Sequence, residues 1–189
     1  MRKTISQKFF NKSALKVAKS LLGKFMVRKY KNKEIAVMIA EIEAYDGLKD
    51  KASHAHRGKT ERNKIMFGES GIFYVYFTYG MHWMLNVVTG PKNYPAAILI
   101  RGGIVHQKNN HNPKKLIFLN GPAKLTKYLK IDKKFNNKII SKKTGLWFEN
   151  RGMKVKNSQI KKSKRIGVEY AGKWANKLYR FSIDQSVKK

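Results

Sequence analysis

Against 42 Lys and Arg the chain sets only 11 Asp and Glu, so a carboxylate inside an apolar strand needs a reason. Two stand in the run Ala40-Glu41-Ile42-Glu43-Ala44-Tyr45. Alternate residues of a strand share a face, which projects Glu41, Glu43 and Tyr45 to one side at the strand's end. Such carboxylates are either a solvent-facing or Arg-paired charge pair, or a base at a pocket mouth able to take a proton from water. Arg101, ending the apolar segment Ala96–Arg101, is the cation that the plainer reading would pair with Glu41 or Glu43. His54 and His56 flank one alanine. Two histidines without a third ligand in range do not make a metal site, and they read as ordinary loop histidines. The run from Phe73 to Tyr79 is dense in aromatics. Phe73, Val75 and Phe77 fit a core-facing strand, and tyrosines left near the edge could stack on bases. Tyr79 precedes Gly80 at a tight turn, where a bulky ring stands clear of the sheet and could enter a base stack.

The elements that must position these groups follow from periodicity. Ser13 precedes a helix expected over Ala14–Leu22 that Gly23 can end. Leu15, Ala18, Leu21 and Leu22 give it one apolar stripe. Lys24–Tyr30 and Glu34–Tyr45 read as strands around the turn-like Lys31-Asn32-Lys33. Asp46–Gly71 is polar and long for a loop, so it is functional or carries a short helix. Ile72–Thr78 and His82–Val88 read as two strands around Tyr79-Gly80, and Ala96–Arg101 as another. His106–Lys115 reads as a surface loop. Gly121-Pro122 opens a helix near Ala123–Lys130, with Pro at a first-turn position. Asn136–Lys164 is rich in Lys and Asn, and Ile166–Tyr170 and Leu178–Ile183 read as late strands. No repeat and no linker divides the 189 residues. The expected architecture is a single α+β domain over residues 1–189, a mixed or antiparallel curved sheet with surrounding helices and a protruding β-hairpin.

Composition narrows the function. Hydrophobic residues make up 42% and aromatics 12%, too many for a disordered basic tail. The longest apolar run, around Ile72–Tyr79, is far short of the ~20 residues of a membrane span. Met1–Lys12 is too polar for a signal peptide. With no cysteine, disulfides, a thiol nucleophile and Cys-based metal sites are excluded. A formal charge of +31 points to a polyanionic partner, nucleic acid before an anionic membrane, after allowance for a lysine-rich background.

Several blocks, in order, resemble one family. They are Ile42-Glu43-Ala44-Tyr45, His54, Arg62-Asn63, Met66-Phe67, Tyr74-Val75-Tyr76 through Tyr79-Gly80-Met81, and Asn86. Leu21-Leu22-Gly23, Leu99-Ile100-Arg101, Asn120-Gly121-Pro122 and Arg165-Ile166-Gly167-Val168 through Ala171-Gly172-Lys173-Trp174-Ala175 extend the match from about Phe9-Phe10 to Phe181. Together they resemble the alkyladenine/3-methyladenine DNA glycosylase family, the mammalian-type alkylpurine glycosylases that bacteria also carry. A compact bacterial form, without the N-terminal extension of eukaryotic members, is expected.

The resemblance implies a role for each matching position. Glu43 is the general base that activates water against the sugar C1′, and Arg101 helps to hold that water. Tyr45, His54 and Tyr76 wall the base pocket, and Asn86 clashes with the 2-amino group of guanine. Tyr79 fills the gap left by a flipped nucleotide, with Met81 a second contact at the wedge. Three departures stand out: Met84 replaces a pocket cysteine of mammalian members, Tyr170-Ala171-Gly172 replaces their His-Ala-Gly, and the Ile104–Leu119 connection is shorter. The implied activity is base-excision repair by a monofunctional glycosylase. It would flip out 3-methyladenine-, 7-methylguanine-, hypoxanthine- or ethenoadenine-class purines and hydrolyse the N-glycosidic bond, leaving an abasic site. No metal and no cofactor is expected, the partner is duplex DNA with damaged purines, and the protein is expected to be a monomer of the bacterial cytoplasm and nucleoid with no membrane association. The competing reading is a non-catalytic basic nucleic-acid-binding protein in which Glu43 is merely structural; such a protein has no need of Glu43, Tyr45, His54, Tyr76, Tyr79 and Asn86 in this order.

Overall fold

A computed structural model describes residues 2–109 and 112–184. The backbone is one ten-stranded sheet in which every pairing is antiparallel. Its strands are β1 (Lys3–Thr4), β2 (Phe25–Tyr30), β3 (Lys33–Asp46), β4 (Phe73–Thr78) and β5 (His82–Thr89). They are followed by β6 (Ala96–Asn109), β7 (Asn112–Asn120), β8 (Leu146–Asn150), β9 (Ile160–Ser163) and β10 (Arg180–Ile183). The main order is β1-β8-β2-β3-β6-β5-β4, with β10 joining β3 to β9 and β7 lying along β6. Two short helices, α1 (Ala14–Leu21) and α2 (Pro122–Tyr128), cover the sheet. The α+β class and the antiparallel sheet agree with the sequence.

One face of the sheet carries the core. Phe73 and Val75, Leu85 and Val87, and Ile98 and Ile100 bury there with Ala14, Val17, Ala18 and Leu21 of α1. Ser13 sits at the N-cap of α1, but its hydroxyl bonds no backbone N–H of the first turn. The alternation of β4, β5 and β6 therefore sends Tyr74, Tyr76, Met84, Asn86, Ala97, Leu99 and Arg101 to the other face.

The decisive irregularity lies between β3 and β6. Ile39 pairs with Gly103, Glu41 with Gly102 and Ile42 with Ile100, so Ala40 and Arg101 are each passed over. Val37 and Ile39 belong to the same core as Ile42 and Ala44. The facing of β3 has thus changed by one residue, as a bulge requires. Without it Glu43, which shares its parity with Val37 and Ile39, would point into the core. Gly102 and Gly103 permit this close packing: a Cβ on Gly103 would lie 2.3 Å from Val37 Cγ1 and 2.7 Å from the Met38 carbonyl.

Three expectations are corrected. His106–Lys115 is not a surface loop: β6 runs to Asn109 and β7 begins at Asn112, with residues 110 and 111 outside the described residues. Ile166–Tyr170 is not a strand. Gly167 (φ 74°) and Gly172 (φ 57°) take left-handed conformations there, and the chain forms turns and a 3-10 segment over Glu169–Trp174. Phe77 is 47% exposed rather than core; the β4–β5 hairpin has left the body by then, and the ring packs on Trp83 at 4.7 Å. The segment 46–71 is built of turns and a 3-10 helix, Lys64–Phe67.

Candidate active site

A cavity of about 400 Å³ opens on the face opposite the core, within the roughly 300–1,000 Å³ range of small-molecule sites. Its floor is one row of the sheet: Tyr74 pairs with Asn86, Asn86 with Leu99 and Leu99 with Glu43. Register alone therefore aligns four strands beneath the site. Of the residues expected at the site, Tyr45, His54, Tyr76, Tyr79, Asn86 and Arg101 all line this cavity.

Glu43 lies just behind the wall. Its side chain is fully covered. One oxygen, Oε1, accepts the Ile166 N–H at 2.8 Å. The other, Oε2, accepts the Tyr45 hydroxyl at 2.9 Å and lies 3.5 Å from Arg101 Nη1. Tyr45, Arg101 and Ile166 all line the cavity, so the carboxylate is ringed by cavity groups. Burial raises its pKa, and this outweighs the lowering by the Arg101 charge and by the Ile166 and Tyr45 hydrogen bonds. Burial, and then the Glu43 charge, hold the Tyr45 hydroxyl well above its ordinary pKa, so it stays a donor.

Glu41 has a different task. Its Oε1 accepts from Arg101 Nε at 3.2 Å and from Arg180 Nη1 at 3.0 Å. Arg101 thus bridges both carboxylates, as the plain ion-pair reading has it, and also lines the cavity.

The aromatic wall is tightly built. The rings of His54 and Tyr76 meet edge-on at 4.7 Å, and Tyr74 and Tyr76 lie 5.3 Å apart. His54 Nδ1 and the Tyr74 hydroxyl are 2.9 Å apart. Desolvation, then the Arg62 charge, pull the His54 pKa down to about 4, so the imidazole is neutral at pH 7 although the residue is exposed. The Arg62 guanidinium lies 5.0 Å from the Tyr76 ring centre. Buried Asn63 holds the His54 loop, donating to the carbonyls of His54 and Gly58 at 2.9 Å each. Asn86, 4% exposed, donates to the Tyr74 carbonyl at 3.1 Å while still lining the cavity. The ordinary backbone-bonding role is therefore present alongside its place in the wall.

Tyr79 stands at the rim. It is 80% exposed at the hairpin tip, where Tyr79 (φ 52°) and Gly80 (φ 64°) are both left-handed and the Thr78 carbonyl accepts the Met81 N–H at 3.2 Å. Met81 is exposed beside it, outside the cavity lining.

Sequence reasoning missed the support behind Tyr45. Arg165 and Asp50 form a fully buried ion pair, with Nη2 donating to Oδ1 at 2.8 Å. Arg165 also donates to the Ala44 carbonyl at 2.9 Å and places its guanidinium 4.8 Å from the Tyr45 ring centre. Asp50 in turn accepts the N–H groups of Asp46 and Ala52. Arg165-Ile166 thus ties down Tyr45 through its side chain and Glu43 through its backbone. A signal was available: only eight of the 42 cationic residues are Arg, and a lysine cannot make such a planar, bidentate contact. Tyr74 was part of the matching pattern but carried no role.

Among the described residues no helix is long and apolar enough to cross a membrane. The methylpurine-DNA glycosylase family model matches residues 8–187. A curated protein of Borreliella afzelii (strain PKo), "Putative 3-methyladenine DNA glycosylase", is 44% identical over 178 residues, covering 93% of this chain and 94% of its own. Proteins of the same name from Clostridioides difficile (strain 630) and Methanocella arvoryzae (strain DSM 22066 / NBRC 105507 / MRE50) are similar at 37% and 40% identity. They cover 93% and 92% of this chain and 98% and 88% of their own.

The covered Glu43 has a measurable consequence. A carboxyl whose pKa is higher folded than unfolded binds more protons in the native state, so stability falls as pH rises from the ordinary value of ~4.3 through the raised one. Denaturant titrations at pH 4, 5.5 and 7 are expected to show Glu43→Gln gaining stability relative to wild type as pH rises. A gap that moves the other way would mean that the carboxylate is stabilised, not strained, by its surroundings.

Proposed function

From membership of the methylpurine-DNA glycosylase family, to which the chain belongs, we propose that it releases alkylated and deaminated purines from duplex DNA through a flipped nucleotide and a water activated by Glu43. The protein is a DNA-3-methyladenine glycosylase. The observation that carries the finer reading is the buried Glu43 carboxylate, ringed by three groups of the cavity wall.

A base stacked in a duplex is out of reach, so the nucleotide must leave the stack at a cost of a few kcal/mol. Tyr79 then fills the gap, with Met81 beside it, a reading supported by the exposure of both side chains at the hairpin tip. The base then enters between Tyr45, His54 and Tyr76. N3- and N7-alkylated purines are cationic, and tyrosine faces attract cations. Neutral His54 adds no repulsion. Water attacks C1′ as Glu43 takes its proton; the C–O bond forms, the glycosidic bond breaks, and the bonding pair leaves with the base. A cationic base departs neutral, whereas hypoxanthine needs a proton from elsewhere. Arg101, held by Glu41, fixes the Oε2 edge of Glu43 against which the water sits. Asn86 is the block against guanine's 2-amino group in this reading, supported by its place in the cavity wall and its bond to the Tyr74 carbonyl.

The test is alkali-induced cleavage of a duplex carrying one hypoxanthine or ethenoadenine after incubation with protein. Wild type is expected to generate the alkali-labile site, and Glu43→Gln to lower single-turnover release by ~10²–10⁴-fold while still binding the lesion. Near wild-type release by the variant would remove Glu43 from the mechanism. In the same assay, folded Asn86→Ala is expected to raise release of normal guanine relative to hypoxanthine. An unchanged ratio would place selectivity elsewhere in the pocket.

A further inference from the structure

A second concavity, of about 890 Å³, lies between the outer end of β2, the end of α2 and the segment that follows it. Six cationic side chains line it: Arg28, Lys127, Lys130, Lys134, Lys138 and Lys143. One carboxylate, Asp132, shares the lining, and its Oδ1 already accepts the Lys134 N–H at 2.8 Å. The floor is aromatic and holds Arg28 in place. Its guanidinium lies 4.6 Å from the Phe135 ring centre and 5.6 Å from that of Tyr30, and Nη1 donates to the Gly145 carbonyl at 3.2 Å. The four lysines at 130, 134, 138 and 143 are exposed. Much of the lysine-rich sequence from 127 to 143 thus converges on one groove rather than dispersing over the surface.

This groove is separate from the base cavity. Phe135 packs on Phe73, which faces the core side of β4, whereas Tyr74, the next residue, faces the cavity. The two floors thus lie on opposite sides of β4, while α2 borders both concavities, with Pro122 on the cavity and Thr126 and Lys127 on the groove. Along β3, the Arg28 partner Ile35 and the base Glu43 are eight residues apart, about 25 Å at ~3.3 Å per residue.

We propose that this groove is a second duplex-binding site, which takes the backbone phosphates of a DNA segment other than the one being repaired. It rests on the reading of the chain as a DNA-acting enzyme but not on Glu43 chemistry. Lysines spaced around a concave surface suit a phosphodiester strand, whose regular charges they can neutralise with release of counterions. No contact to bases is built in, so binding there is independent of sequence and of damage. An enzyme holding two segments at once can pass from one to the other without entering free solution.

The experiment compares wild type with the combined variant Lys130→Gln, Lys134→Gln, Lys138→Gln and Lys143→Gln, and with the matching set of Lys→Arg changes. Each protein is first saturated with a short lesion-bearing duplex, then titrated with a fluorescent undamaged duplex. Wild type and the Arg set are expected to bind the second duplex. The Gln set should bind it at least tenfold more weakly, and the salt slope of that step should fall by about 3–4. Single-turnover base release from the short duplex should stay within twofold in all three. Failure of wild type to bind a second duplex, or equal binding by the Gln set, overturns the proposal. A Gln set that loses base release in step with binding also overturns it, since the groove would then belong to the path of the duplex under repair. A failure of the Glu43 reading would show instead as absent base release in every protein with second-duplex binding intact.

Discussion

The structure depends on keeping one carboxylate out of water and still addressed to a cavity. Burying Glu43 without partners would be prohibitive, and burying it with too good a partner would leave it too weak a base. The chain resolves this by dividing the work among neighbours. Arg101 is shared with Glu41, which is itself held by Arg180. The remaining partners of Glu43 are a backbone N–H and a neutral hydroxyl. The net effect is a carboxyl group above its ordinary pKa. The same geometry requires the β3–β6 irregularity, which turns Glu43 from the core face to the cavity face, and Gly102-Gly103, which let the strands approach there.

Rigidity elsewhere serves that arrangement. Asp50 and Arg165 are 115 residues apart in sequence and meet beneath Tyr45. Their pairing fixes the 46–53 turn, the Tyr45 ring and the 165–168 segment as one unit. Asn63 does the same for the loop that presents His54. The cavity wall is thus assembled from loops that buried polar side chains bond across. Tyr79 and Met81 stand exposed at the hairpin tip, clear of this framework.

Strand alternation made much of this legible. Phe73 and Val75 read as core, and Tyr74 and Tyr76 fall opposite them by parity. The Tyr79-Gly80 turn was visible from glycine beside a bulky ring, and its left-handed backbone follows. The blocks of family resemblance carried the rest of the site. What alternation could not reveal was the bulge, because an extra residue leaves no mark on a pattern already mixed in Ala40-Glu41-Ile42-Glu43. It also hid the Asp50–Arg165 pair, since Asp50 lies in a polar stretch where an acid draws no notice. The hairpin over β6 and β7 was obscured because its polar outer end mimics a loop, and the 166–174 segment because Ile and Val suggested a strand that its left-handed glycines interrupt.

The central claim is that a desolvated Glu43 is the base, and its pKa sets the acid side of activity. The direct measurement is the pH dependence of single-turnover release of a neutral base such as hypoxanthine, with binding saturated at each pH. The account predicts that release falls as pH drops through a midpoint above the ordinary ~4.3 of a glutamate, and that this limb vanishes in the residual activity of Glu43→Gln. A limb at or below the ordinary value, or one that survives unchanged in the variant, would contradict it.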